Sequence, residues 1–169
     1  MSTSPPLTPL AAAVLHVGDP ERILQIECGE GDGAMFLARE FPTARVRGID
    51  SDAAAVRRAS ARVGLDPEGR IAFKQGTPRS LPFPAEQFDR LVALDARPGA
   101  GEAARVLRPG GFLVLATSRG ASPLGGIGGR LYRRRGKRLG FESIWSEAAG
   151  DGSFSVARLR GGGPVGGSL

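Results

Sequence analysis

The stretch Ile23-Leu24-Gln25-Ile26-Glu27-Cys28-Gly29-Glu30-Gly31-Asp32-Gly33 constrains the fold of this 169-residue chain more than any other. Residues 23–26 are a short apolar run that reads as a buried strand. The run empties into a loop with glycine at every second position, and residues 34–39 then have helical character. Strand, glycine-rich turn and helix bring backbone N–H groups and a helix N-terminus against a ligand, usually a nucleotide-like one. Glycine suits such a turn because a Cβ blocks close approach or forbids positive φ. A tight strand-to-helix turn with no ligand is the plainer reading of the same residues.

Strands and helices alternate along the rest of the chain. Residues 44–50 read as a second strand ending in Asp50, and Ser51-Asp52 offers a cap for a helix over 53–63 closed by Gly64. Residues 70–75 alternate as a third strand, followed by a proline-rich loop over 76–84. The near-continuous apolar run 88–94 suits a central parallel strand covered on both faces. A short helix over 102–107, a turn at Arg108-Pro109-Gly110-Gly111 and a strand over 112–117 follow. Residues 120–129 read as a loop, and 130–139 as a basic helix broken near Gly136. Two final strands, 141–147 and 154–160, are joined by the turn Ala149-Gly150-Asp151-Gly152. The pattern predicts an α/β, doubly wound, mostly parallel sheet ending in an antiparallel hairpin.

The expected domain runs over residues 20–160. Residues 1–19 form an N-terminal extension, disordered over 1–9, with a short helix over 10–17 ended by Gly18-Asp19-Pro20. Residues 161–169 read as a disordered glycine-rich tail.

Charge is concentrated. The formal net charge of +6 comes from Arg130, Arg133, Arg134, Arg135, Lys137 and Arg138; without them basic and acidic residues balance at 17 each. This stretch could meet nucleic acid, an anionic membrane or an acidic protein, although a solvated helix face is the duller reading. Tyr132 is its only aromatic residue, which gives base stacking little support. One cysteine and one histidine leave neither a disulfide framework nor a zinc-type cluster, so no metal is expected. No run approaches the roughly 20 apolar residues of a membrane helix, and the N-terminus lacks a signal peptide's positive start. The expected location is the cytoplasm. His16 lies in the N-terminal segment and reads as structural or exposed.

Several stretches, in this order, carry a family resemblance over residues 20–160. They are Arg22-Ile23-Leu24-Gln25-Ile26-Glu27-Cys28-Gly29-Glu30-Gly31, Gly48-Ile49-Asp50-Ser51, Gly76-Thr77-Pro78-Arg79-Ser80-Leu81-Pro82-Phe83-Pro84, Phe88-Asp89, and Ala104-Arg105-Val106-Leu107-Arg108-Pro109-Gly110-Gly111. Together they resemble the class I S-adenosylmethionine-dependent methyltransferases, with a type 11-like domain. The resemblance implies a Rossmann-like sheet of seven strands and S-adenosylmethionine as cofactor. It implies that Gly29 and Gly31, with Glu27 and Cys28 in the same loop, pass under the methionine part. Asp50 would accept hydrogen bonds from the ribose hydroxyls, and Ser51 with Thr77 and Pro78 would line the adenine. Leu94 and Asp95 would face the methyl group and the acceptor.

The chain departs from the family pattern at three positions. An acid is usual at Gln25, glycine at Glu27 and aspartate at Thr77. A second register takes Glu27 as the motif acid and Gly29, Gly31 and Gly33 as the three glycines; the first register is preferred because it aligns Cys28, Leu37 and Ala38 with the family.

The implied function is methyl transfer to a small-molecule acceptor. Such chemistry needs little acid–base assistance, so catalytic residues are not identified. The alternative is an inactive methyltransferase-like protein acting through a binding partner, motivated by the three departures and a thin acceptor side. A nicotinamide dinucleotide-binding reading also fits residues 29–34 and Asp50, but the later motifs argue against it.

Overall fold

The computed structural model describes residues 5–64, 68–120 and 122–161. Among these residues the chain forms α1 (Thr8–Val14), β1 (Arg22–Ile26), α2 (Asp32–Glu40), β2 (Arg45–Asp50), α3 (Ala53–Val63) and β3 (Ile71–Gln75). It continues through β4 (Phe88–Leu94), α4 (Ala100–Val106), β5 (Leu107–Thr117), α5 (Gly126–Arg138), β6 (Phe141–Ala149) and β7 (Gly152–Leu159). The expectations placed on residues 1–4 and 162–169 lie outside the described residues.

The strands form one seven-stranded sheet in the order β3-β2-β1-β4-β5-β7-β6. β1 pairs in parallel with both β2 and β4, β2 with β3, and β4 with β5. β7 runs antiparallel between β5 and β6. This is the doubly wound, Rossmann-like sheet with a terminal hairpin that the strand–helix alternation predicts. The strand order reverses between β1 and β4, where ligands of open α/β sheets bind outside the carboxyl ends.

Alternate residues of the central strands feed two cores. Ile23 and Val92 pack with Leu10, Val14, Leu37, Val114 and Phe154 on the face covered by α1 and α2. Leu24, Ile26, Leu91 and Ala93 pack with Phe88, Val106, Leu113 and Leu115 on the α4 face. Burial on both faces explains why β1 and β4 read as continuous apolar runs. The Asp52 carboxylate caps α3 by accepting the Ala54 N–H at 2.9 Å.

Three expectations are corrected. The first helix spans Thr8–Val14, not 10–17, and so begins inside the stretch expected to be disordered or loosely packed, because Pro9, Leu10, Ala13 and Val14 are buried. Arg108-Pro109-Gly110-Gly111 is not a turn before the strand but lies within β5, which starts at Leu107 beside Phe88. The pairing slips between Phe88 and Arg90, so an irregularity of bulge type absorbs the proline and glycines. The basic helix is not broken at Gly136, and it begins at Gly126 inside the stretch expected to be loop. An interior glycine costs only about 1 kcal/mol relative to alanine, and the backbone remains able to donate and accept. Here Gly136 is buried beside Phe141.

Two of the resembling stretches have structural roles. The Asp89 carboxylate accepts the N–H groups of Glu21 at 2.7 Å and Arg22 at 3.1 Å, fixing the start of β1. Arg105 donates to the carbonyls of Leu81 and Phe83 and to Glu102, whose carboxylate accepts the Leu81 N–H at 2.7 Å. The proline-rich loop is thereby tied to α4.

Candidate functional site

The loop between β1 and α2 follows from its backbone angles. Positive φ occurs at Glu27 (47°), Gly29 (55°) and Gly31 (90°), every second residue. Gly33 does not share that property and lies in the first turn of α2. The left-handed positions therefore match the first register, with Glu27 where glycine is usual. Gly33 answers a different demand: a Cβ there would collide with the buried Gln25 side-chain amide, so it permits α2 to approach β1.

Asp50 ends β2 and is only 7% exposed. Its Oδ2 accepts the Gly29 N–H at 2.8 Å, and its Oδ1 accepts the Asp52 N–H at 2.9 Å. A carboxylate has about four acceptor positions, so these two bonds leave capacity for further donors.

These elements surround a cavity of about 300 Å³ at the carboxyl ends of β1, β2 and β4. Glu27, Cys28, Gly29, Asp50 and Leu94 are brought together in its lining. The other predicted positions lie outside that lining. Gly31 starts α2 against the Phe73 ring, Ser51 and Thr77 are exposed, and the Pro78 carbonyl accepts the Gly99 N–H at 2.9 Å. Asp95 is taken up by Ser118, whose N–H and hydroxyl each donate to it at 2.7 Å.

The lining also contains residues not assigned a binding role from the sequence. Gln25 is 3% exposed, and its Oε1 has no hydrogen-bond partner among the described residues. The sequence marked it only as a departure from an acid. Pro5 and Leu7 close another side of the cavity. They arrive there because α1 packs on the sheet through Leu10 and Val14, a long-range placement with no local signal. Asp52 and Arg58 stand at the rim, with Arg58 bonded to Glu30 at 2.7 Å.

The electrostatics favour a cation. Glu27, Glu30, Asp32, Asp50 and Asp52 line the cavity, against Arg58 as its only basic lining residue among those described. Burial first, and the Asp50 charge second, raise the Glu27 carboxyl above its ordinary value, while a hydrogen bond with Ser51 opposes them. Burial and then Asp50 push the Cys28 thiol up to about 12, which keeps it protonated near neutral pH.

The chain is similar to known proteins in sequence and in fold. The family model of a methyltransferase domain matches residues 23–111. A fatty-acid O-methyltransferase of Mycolicibacterium smegmatis is 34% identical over 106 residues, 59% of this chain and 38% of that protein. The ubiquinone/menaquinone biosynthesis C-methyltransferase UbiE of Syntrophotalea carbinolica is 37% identical over 122 residues, 68% of this chain and 51% of that protein. The chain thus spans between about two fifths and one half of the length of these two relatives. A putative sarcosine dimethylglycine methyltransferase from Galdieria sulphuraria superposes with a TM-score of 0.73 at 16% identity, covering 89% of this chain and 83% of that one. That likeness speaks for the fold alone. The matched residues make up more than half of the chain and hold both the β1 loop and Asp50, and on that basis it belongs to the class I S-adenosylmethionine-dependent methyltransferase family.

Proposed function

We propose that this protein binds S-adenosylmethionine in the cavity at the ends of β1, β2 and β4 and transfers its methyl group to a small-molecule acceptor. The observation that carries the reading is the acceptor set of that cavity. Gln25 Oε1 is buried without a partner among the described residues, and the Glu27 and Asp50 carboxylates stand in the same lining. The cofactor offers what such a set lacks: two ribose hydroxyls, an ammonium and a sulfonium. Asp50 would take the hydroxyls with its remaining acceptor capacity, and the oxygens of Gln25 and Glu27 would face the cationic end. The sulfonium supplies an electrophilic methyl carbon, so the chain's own task is to hold and orient two molecules and to exclude water. The acceptor class rests on the relatives, one named for fatty acids and one for quinone biosynthesis.

A second reading, a methyltransferase-like protein working through a partner, is favoured by Glu27. By the family resemblance its side chain would stand where the backbone passes closest to the cofactor, and the residue is left-handed. Calorimetric titration with S-adenosylmethionine and its demethylated product decides between them. Micromolar binding supports the enzyme and opens a screen of small-molecule acceptors. Binding absent in the natural protein but restored in Glu27→Gly means one side chain blocks the pocket. Binding absent in both moves the function to the partner-dependent reading.

A further inference from the structure

Helix α5 is amphipathic in the wrong sense for a helix packed on a core. Its two buried residues are Gly129 and Gly136, while Ile127 is 70% exposed and Leu131 is 59% exposed. The helical repeat places Ile127, Leu131 and Arg138 on one outward stripe with Arg130 and Arg135 along its flanks, whereas Arg134 and Lys137 reach the inner cavity. Room for large side chains exists on the inner side. A cavity of about 470 Å³, floored by Leu113, Leu115, Val156 and Phe141, lies between α5 and the sheet. Ile127 and Leu131 do not fill it.

The carboxylate that shares the inner cavity with Arg133, Arg134 and Lys137, Glu142, is taken by Arg160 at 2.7 Å. Among the described residues, no ion pair involves Arg130, Arg133, Arg134, Arg135, Lys137 or Arg138. Arg130 and Arg134, and Arg134 and Arg138, are like charges one turn apart, which weakens a free helix. A surface that is both apolar and anionic relieves both costs. Apolar side chains enter the acyl boundary, and cations stay at the headgroups.

We propose that the outer face of α5 docks on an anionic lipid bilayer, with Ile127 and Leu131 inserted below the headgroups and Arg138 and the flanking arginines held by lipid phosphates. Among the described residues no helix is long and apolar enough to cross a membrane, so the contact is interfacial. The placement has a consequence for access. β5 runs parallel to β4, so the segment from Thr117 into α5 leaves the sheet at the edge where Asp50 and Leu94 line the cavity. Docking through α5 brings that edge near the bilayer. The proposal stands whether or not the cavity takes S-adenosylmethionine.

Co-sedimentation of the full chain with vesicles tests it, using phosphatidylcholine alone and phosphatidylcholine mixed equally with phosphatidylglycerol. Binding is expected only to the mixed vesicles, weakening with added salt. Ile127→Ser with Leu131→Ser should lower partitioning about tenfold or more, the effect of withholding two large apolar side chains from burial. Arg130→Gln with Arg138→Gln should lower it by a similar factor and flatten the salt dependence. Circular dichroism and thermal melting establish that each variant is folded. A Leu131→Trp probe in a Trp145→Phe background should shift its emission to the blue on the mixed vesicles. Equal binding to both vesicles, undiminished binding by the serine variant, or an unshifted probe overturns the proposal. So does vesicle binding that is absent while single-stranded DNA binds, or while the serine substitutions abolish self-association.

Discussion

The Gly29 N–H donates to Asp50 Oδ2 at 2.8 Å and so joins the loop after β1 to the end of β2, across 21 residues of sequence. The other oxygen of the same carboxylate orients the start of α3 through the Asp52 N–H at 2.9 Å. One side chain therefore organises two loops at the rim of the cavity it lines. Its structural role and its proposed role in binding are separable by measurement, because the first acts without ligand.

Replacing Asp50 by Asn turns one carboxylate oxygen into an NH₂ that faces a backbone donor. A hydrogen bond to a charged group is lost, at a cost of about 1.5–3 kcal/mol. For a chain of this size each kcal/mol lowers the melting temperature by about 2–4 °C. Thermal melting of Asp50→Asn without ligand should show that drop. Titration should show S-adenosylmethionine affinity reduced by about tenfold or more, since one bidentate acceptor is gone. A lowered melting temperature with unchanged affinity would mean that the cofactor does not use Asp50.

Glu27 gives a test with opposing terms. A non-glycine residue in the left-handed region costs about 1–2 kcal/mol. Glycine instead frees the unfolded chain, by about 0.4–1 kcal/mol. The strain term is the larger, so Glu27→Gly should leave stability unchanged or raise it by about 1 kcal/mol. A melting temperature that falls by several degrees contradicts the left-handed assignment.

The same residue has a pH signature. Burial and Asp50 raise the Glu27 carboxyl in the folded protein above its value in the unfolded chain. Its contribution is then complete at pH below the unfolded value and is lost as pH rises through the folded one. Glu27→Gln removes a group that ionises at a cost. Stability curves of the two proteins should converge at acid pH and separate above it, with the glutamine variant the more stable. Denaturant titrations at a series of pH values check this.

The legibility of this chain divides by range. Apolar runs such as 23–26 and 88–94 and the cap at Asp52 are local, and β1, β4 and α3 follow them closely. Arg108-Pro109-Gly110-Gly111 misleads because turn chemistry is overridden by pairing of Leu107 with Phe88. Gly136 misleads because packing beside Phe141 compensates for a poor helix former. At the site, Glu27, Cys28, Gly29, Asp50 and Leu94 gather because each ends or follows a parallel strand. Pro5 and Leu7 do not announce themselves, since only the docking of α1 carries them there.

Cys28 should behave as a silent thiol. It is 6% exposed, and burial pushes it up to about 12, far from the range in which a thiolate forms at neutral pH. An aromatic disulfide reagent should label it at the rate of opening of the loop or the whole domain. Denatured protein should react at the ordinary rate of a free cysteine. Added S-adenosylmethionine should slow labelling further, because Cys28 lines the same cavity. Rapid labelling of the folded protein contradicts the buried placement.

Asp89 offers the complementary case, a residue that resembles the family yet sits away from the cavity. Its carboxylate accepts from Glu21 and Arg22 at the start of β1, whereas Asp50 and Leu94 lie at the ends of the strands. Asp89→Ala leaves two N–H groups without their acceptor. Both bonds are solvent-exposed, so water replaces part of the loss and the cost should be about 1–2 kcal/mol. The melting temperature should fall by a few degrees. S-adenosylmethionine affinity should stay within about twofold of the natural protein, since nothing at the opposite edge of the sheet changes. A tenfold loss of affinity in a variant that remains folded would show that the strand start and the ligand loop are coupled through β1. An unchanged affinity would separate the residues of this family pattern that build the sheet from those that meet the cofactor.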